Sequence, residues 1–404
     1  MIFCMKWIQQ IIYWIVILGY LIVVMCYNLI ESEWGFTYTD EIFALLLFGI
    51  YLRYHKYAKN SPKEFFQCCI VFIFYFLYSC IRRMVPVEGI LMDLFIQIKS
   101  FLAFYVIYTL GVGCSSNQKK VIEGIVKIIV PLLVIVGFMG IDTQFVVFSH
   151  PSRYATVVCI TGFLYLYCSK RRKNDIVITL LIWSLGILSE RSKFYGFFTL
   201  AFCLMLFVHP NRQFKLLKPK SIIVGIILIG LIFWAAKDKV LFYVIDGTQG
   251  QEVFVRPALY ITMISVLRDY PLLGPGFGSY ATWASGVFYS SLYTKYGIDN
   301  LWGLTEDKYS FVADTFYPSL AQYGLIGIML FFYFWILVYR KSQDKLKRYN
   351  DVIVYKSVLL IIAFFMIESL ADSTFTNNRG LYMMIILALF LNDNKGNRYI
   401  QNSR

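Results

Sequence analysis

The chain has 404 residues, of which 59% are apolar with Tyr and Cys included, 19% are aromatic and 15% are charged, and its formal net charge is +14. Soluble domains carry roughly a quarter charged residues, so a soluble globule, a disordered chain and a collagen-like rod all fit poorly, and an all-α polytopic integral membrane protein is the expected fold class. A basic excess in such a chain marks cytoplasmic loops before it marks nucleic acid, and no nucleic-acid partner is expected.

A helix that crosses a bilayer needs about 20 mainly apolar residues, because every backbone polar group must be satisfied within the segment. Apolar runs near 8–28, 41–54, 65–81, 91–111, 121–141, 154–169, 176–189, 193–209 and 222–236 precede one long hydrophilic connection, and runs near 316–339, 352–370 and 380–392 follow it. They predict about twelve transmembrane helices: nine in residues 1–236, a large extracytoplasmic loop at 237–315, and three more with a cytoplasmic tail in 316–404. The first run exceeds a signal-peptide core and has no small-x-small cleavage site, so it is expected to remain as a span. Nine cysteines form an odd count and none falls between Lys237 and Asp314. Neither a disulfide framework nor a thiolate metal site is expected.

With the N-terminus inside, about twenty-three of the 38 basic residues fall in alternate loops. Both termini are then cytoplasmic. The charges that this placement leaves unexplained are the informative ones. Arg82 and Arg83 follow the third run, and Asp93 and Lys99 fall inside the fourth. Intramembrane ionisable groups default to a functional reading, against an internal pair of Lys99 with a carboxylate such as Glu368. Lys127 and Lys356 lie near cytoplasmic ends and can snorkel. Arg153, Arg191 and Arg379 lie in short outer loops, and Arg256 and Arg268 in the long one. A guanidinium offers forked donors matched to phosphate oxygens, so arginines converging there can hold a diphosphate; taken singly, each serves a headgroup or a loop salt bridge.

Within the long loop, residues 256–268 read as an amphipathic helix, with Pro257 early and Leu259, Tyr260, Met263, Val266 and Leu267 on one apolar face. Pro271, Gly274, Pro275, Gly276 and Gly278 then give a tight turn with close backbone approach. Asp314 opens the tenth run, where it can cap the helix or act as a base. His150 is the lone outer histidine in this topology, which makes a metal site improbable. The chain has no HExxH, paired CxxC, P-loop or dinucleotide-binding glycine pattern, so no cofactor is expected.

Arg256, Tyr260 and then Asp269-Tyr270-Pro271-Leu272-Leu273-Gly274-Pro275-Gly276-Phe277-Gly278 resemble the outer-loop signature of bacterial O-antigen polymerases and ligases. Asp314 to Gly327 resembles the family's next element, and Leu188-Ser189-Glu190-Arg191-Ser192 its Ser-Arg turn, in the family's order. The resemblance covers mainly residues 150–340 and implies a glycosyltransferase of the bacterial plasma (inner) membrane. Such an enzyme joins undecaprenyl-diphosphate-linked oligosaccharide repeat units into O-antigen, capsule or exopolysaccharide, with inversion at the anomeric carbon. By the same resemblance Arg191 and Arg256 hold the diphosphate and Asp314 is the base. Tyr260 of the motif, the arginines Arg82, Arg83, Arg153, Arg268 and Arg379, and Lys99 are the candidate substrate-binding residues. Membrane lipids and a chain-length regulator are further candidate partners. Ligases of the family usually carry His-Asn where this chain has Asp314-Thr315, and the long loop has no histidine, which favours a polymerase over a ligase. A lipid-linked oligosaccharide flippase is the alternative from another class. Transporters, however, commonly show two related halves, which this chain lacks.

Overall fold

The computed structural model describes residues 2–34, 38–208, 210 and 254–393. Helix α1 (Ile2–Leu18) runs through a π-helical turn into short α2 (Tyr27–Trp34), and α3 (Thr39–Tyr54) leads to α4 (Lys63–Arg82), α5 (Val87–Leu110) and α6 (Ser116–Phe138). After α7 (Ile141–Phe148) come α8 (Pro151–Cys168), α9 (Lys173–Ser184) and α10 (Ser192–Leu206). The long connection carries α11 (Val255–Asp269), α12 (Trp283–Val287) and α13 (Ser291–Lys295), and the chain continues through α14 (Gly324–Tyr349), α15 (Val352–Glu368) and α16 (Asn378–Asn392). The described residues are thus all-helical.

Five segments are long and apolar enough to cross a membrane: Lys6–Met25, Lys63–Arg82, Val87–Leu110, Ser116–Phe138 and Phe316–Tyr349. They mark a multi-pass membrane protein. The expected count of about twelve is not reached by this measure, because several of the apolar runs fold into shorter helices. The run at 176–189 gives 12 residues of α9 before a 3₁₀ turn at Leu185–Ser189, while α10 and α16 have 15 residues each, α3 has 16 and α15 has 17. The run at 222–236 lies outside the described residues.

Burial sorts these helices by position rather than by length. All of α16 and every residue of α8 except Arg153 are buried, so these two form the centre of the bundle. A helix enclosed on all sides can carry small and hydroxylated residues such as Gly162, Thr156 and Thr161, which lowers its apolarity as read from sequence. Helix α4 is peripheral: Ile70, Ile73, Leu77 and Ile81 project from it, Ile81 at 81% exposure. Such a face belongs against lipid. Lys356 does not snorkel; it is 3% exposed and its ammonium donates to the Met205 carbonyl at 2.9 Å. Lys127 is exposed and pairs with Glu123 one turn away.

The described part of the long connection has its own apolar cluster, in which Leu259 and Val266 of α11 meet Tyr280, Tyr293, Leu304 and Val312. The turn at 271–278 seats this unit on the membrane helices. Gly274 has φ +70 and Gly276 φ +104, and a Cβ at Gly274 would lie 2.3 Å from the Gln322 carbonyl oxygen. The amides of Gly276, Phe277 and Gly278 donate to the Gln322 carbonyl (2.9 Å), the Ser79 hydroxyl (2.8 Å) and the Asp93 carboxylate (2.8 Å). The Tyr78 hydroxyl donates to the Gly274 carbonyl at 2.8 Å. The glycine-rich turn therefore spends its N–H groups on protein acceptors, and Asp93, fully buried in α5, is one of them.

Candidate functional site

Three helix N-termini supply the site, and each begins for a local reason. At α8, Pro151 occupies the first helical position, where its missing N–H costs nothing, and the His150 ring nitrogen Nδ1 accepts the Ser152 N–H at 3.1 Å. Arg153 then falls in the first turn, with its guanidinium 2.8 Å from Asn28 Oδ1 and 3.5 Å from Glu31. At α10, Glu190 turns the chain with φ 53 and Arg191 takes the extended cap position. At α16, the Asn377 side chain accepts the Arg379 and Gly380 N–H groups at 3.0 and 3.2 Å, which puts Arg379 in the first turn. A helix N-terminus carries partial positive charge and unsatisfied N–H groups, a combination that favours anions.

The three arginines share one electrostatic neighbourhood. Arg153 acts on Arg379, and Arg153, Arg191 and Lys193 all act on His150. Burial first, and then the Arg191 guanidinium, hold the His150 pKa down to about 4, so the ring is neutral at neutral pH. With Nδ1 accepting a backbone N–H, the single ring proton belongs on Nε2. Arg191, whose Nη2 lies 3.3 Å from that nitrogen, therefore gains no acceptor there.

Acidic groups at this end are mostly committed. Lys193 bridges Glu368 at 2.7 Å and Asp372 at 2.8 Å, and the Thr374 hydroxyl lies 3.3 and 3.2 Å from the same two carboxylates. Burial raises the Asp372 carboxyl, but Lys193 outweighs it and holds the group below its ordinary value. Arg256 places both Nε (2.8 Å) and Nη2 (2.7 Å) on Oδ2 of Asp314, and Oδ1 makes no hydrogen bond among the described residues. Burial raises the Asp314 carboxyl above its ordinary value in spite of Arg256. Asp314 thus pairs with Arg256 and caps no helix. The Tyr260 hydroxyl ties α11 to this group by donating to the Leu370 carbonyl at 3.0 Å.

Lys99 is paired differently from the sequence expectation. Its ammonium meets Asp40 and Glu41 at the start of α3, whereas Glu368 belongs to Lys193. Asp40 also acts on Arg379, so this group shares the electrostatic neighbourhood of the arginines. Lys99 and Lys193 each face two carboxylates, Arg256 faces one, and Arg153 approaches Glu31. Arg191 and Arg379 have no ion pair among the described residues, and Arg379 is only 5% exposed. Two guanidiniums outside any ion pair of the described residues, beside three helix N-termini, give a surrounding that favours an anion.

The remaining candidates lie elsewhere. Arg82 stacks on the Tyr270 ring at 5.4 Å, and Arg83 ends α4 with φ 49. Arg268 is 78% exposed and 3.7 Å from Asp269. These three sit at the junction of α4 and the loop unit, away from the arginine cluster. The structure adds His150, Lys193, Glu368 and Asp372 to the site. The signal in sequence was the same for all four, polar groups beside apolar runs, but their pairing spans 175 and 179 residues for Lys193 and follows no spacing rule. No protein-family model and no curated protein matches the chain.

Proposed function

We propose that the chain is a polymerase of lipid-linked glycan repeat units, in line with the resemblance of its 188–192, 256–278 and 314–327 segments to O-antigen polymerases. The observation that carries this reading is the pair of guanidiniums without an ion pair among the described residues, Arg191 and Arg379, set among the N-termini of α8, α10 and α16. In this reading the donor's undecaprenyl diphosphate rests there at the outer face of the bacterial inner membrane. In this reading both termini are cytoplasmic.

The reaction follows from the arrangement. An acceptor hydroxyl attacks the anomeric carbon of the donor sugar while the bond from that carbon to the diphosphate oxygen breaks, and the configuration inverts. The electron pair leaves with the diphosphate, whose developing charge Arg191 and Arg379 stabilise with Arg153 beside them. The hydroxyl proton passes to Oδ1 of Asp314, which is open while Arg256 fixes Oδ2. Arg256 is then a positioning residue for the base, a role different from the diphosphate grip that the resemblance implies. Burial raises the Asp314 carboxyl above its ordinary value, which makes it a stronger base than an exposed aspartate. His150 caps α8 and, held at about 4, is a weak base.

Deleting the gene and sizing the surface glycan tests the reading. Polymerase loss leaves a single repeat unit on the surface lipid. Polymer stranded on undecaprenyl diphosphate would mean a ligase, single units trapped on the cytoplasmic leaflet a flippase, and full-length polymer in the null strain would remove the proposal.

A further inference from the structure

A space of about 300 Å³ lies among α4, α5 and α14. One face of α4 lines it, from Glu64 through Cys68 and Val71 to Tyr75. At about 1.5 Å of rise per residue this makes a slot about 16 Å long, roughly half a bilayer core. Gln97, Phe101 and Tyr105, one helical turn apart on α5, form the opposite wall. At one end Glu64 is held by Lys341 at 2.8 Å, which closes the slot with a paired charge. Along the side, Leu330 and Tyr333 of α14 both line the space and are exposed, at 37% and 49%. The slot therefore opens laterally, beside the apolar outer face of α4.

Its other end adjoins the arginine site. Phe316 lines the slot and stands two residues after Asp314, and its ring lies 5.1 Å from Phe375, the residue next to Thr374 of the Lys193 cluster. One aromatic layer separates the slot from the charges. A phospholipid entering from the bilayer has no reason to set its head on buried Arg379, whereas a lipid whose diphosphate rests on Arg191 and Arg379 must lead its chain past Phe316. We infer that the slot between α4, α5 and α14 holds the first part of the donor's polyprenyl chain, which rests on the functional reading above and adds a second, apolar binding site to it.

Trp in place of Val71 or Leu330 fills the slot from two different helices. Binding to the purified full chain in detergent micelles is measured with undecaprenyl diphosphate, inorganic diphosphate and phosphatidylglycerol as separate probes. Both Val71→Trp and Leu330→Trp are expected to weaken undecaprenyl diphosphate by about tenfold or more, because several buried methylenes are displaced, and to leave inorganic diphosphate unchanged. Leu330 stands at the open side, so its variant remains informative where Val71→Trp disturbs folding. Equal undecaprenyl diphosphate affinity in wild type and Leu330→Trp overturns the inference, as does phosphatidylglycerol competing with undecaprenyl diphosphate on equal terms. Should inorganic diphosphate fail to bind while undecaprenyl diphosphate binding stays sensitive to Trp, the arginine reading falls and the slot stands.

Discussion

The two ends of the helical bundle are both rich in basic residues, yet they treat them in opposite ways. At one end Lys119 and Arg171 converge on Asp393, Arg171 also meets Asp351, Lys341 meets Glu64, and Lys345 donates to the Asp393 carbonyl at 2.7 Å. Asn60 ties the α3–α4 connection to the same end through the Tyr108 carbonyl and Asn392. Cations there hold helix ends together. At the other end Arg191 and Arg379 make no ion pair among the described residues, although Asp372 and Asp40 act on Arg379 from further away, and both stand near helix N-termini. Leaving a buried guanidinium such as Arg379 without an ion pair is costly, a cost that the proposed diphosphate would offset.

That contrast can be broken by substitution. The largest effect is expected at Arg379: Arg379→Ala should cut chain extension by about a hundredfold or more, as loss of a group that stabilises transition-state charge does, at unchanged expression, while Arg379→Lys recovers part of it. Arg191→Ala should behave alike, and wild-type chain lengths in both would end the dianion reading. Asp314→Asn should lower the turnover number by about 10²–10⁴-fold. Because burial raises the Asp314 carboxyl and the base works ionised, activity is expected to fall as pH drops through a value higher than the ordinary one for aspartate. A pH profile of Asp314→Asn lacking that acidic limb checks the assignment. At the opposite end Asp393→Ala removes the shared partner of Lys119 and Arg171 and should destabilise the fold by about 3–5 kcal/mol, read as a lower Tm with per-molecule activity retained. Arg268→Ala, at an exposed position, should alter neither Tm nor activity by more than about twofold.

The sequence made the site partly legible because charge on the wrong side of a membrane protein is conspicuous. Arg153, Arg191 and Arg379 stood out for that reason, and α8, α10 and α16 gather them. Arg82, Arg83 and Arg268 stood out on the same ground and lie at the α4 and loop-unit junction, since an inventory of outer charges carries no information on convergence. Helix α11 was readable from Pro257 and its apolar period to within about a residue. The number of spans was over-read because a run of 12 to 17 apolar residues looks alike whether its helix crosses a bilayer or stops at a 3₁₀ turn. Lys99 was correctly odd but wrongly matched: the nearby Asp40-Glu41 pair on α3 was nearer in sequence than Glu368, and packing of α3 against α5 decided the partner.

The Asp93 contact also has a timetable. Its partner, the Gly278 amide, comes 185 residues later. Ribosomes add about 5–20 residues per second, so α5 waits roughly 10 to 40 seconds in the inserting chain before the glycine-rich turn exists. Gln97, one turn further along the same helix at 3.3 Å, is a donor that arrives with it. Asp40 and Glu41, by contrast, precede Lys99, which therefore enters with its counter-charges already made. Within one helix, one buried charge is settled at birth and the other is held on loan until the second half of the protein is translated.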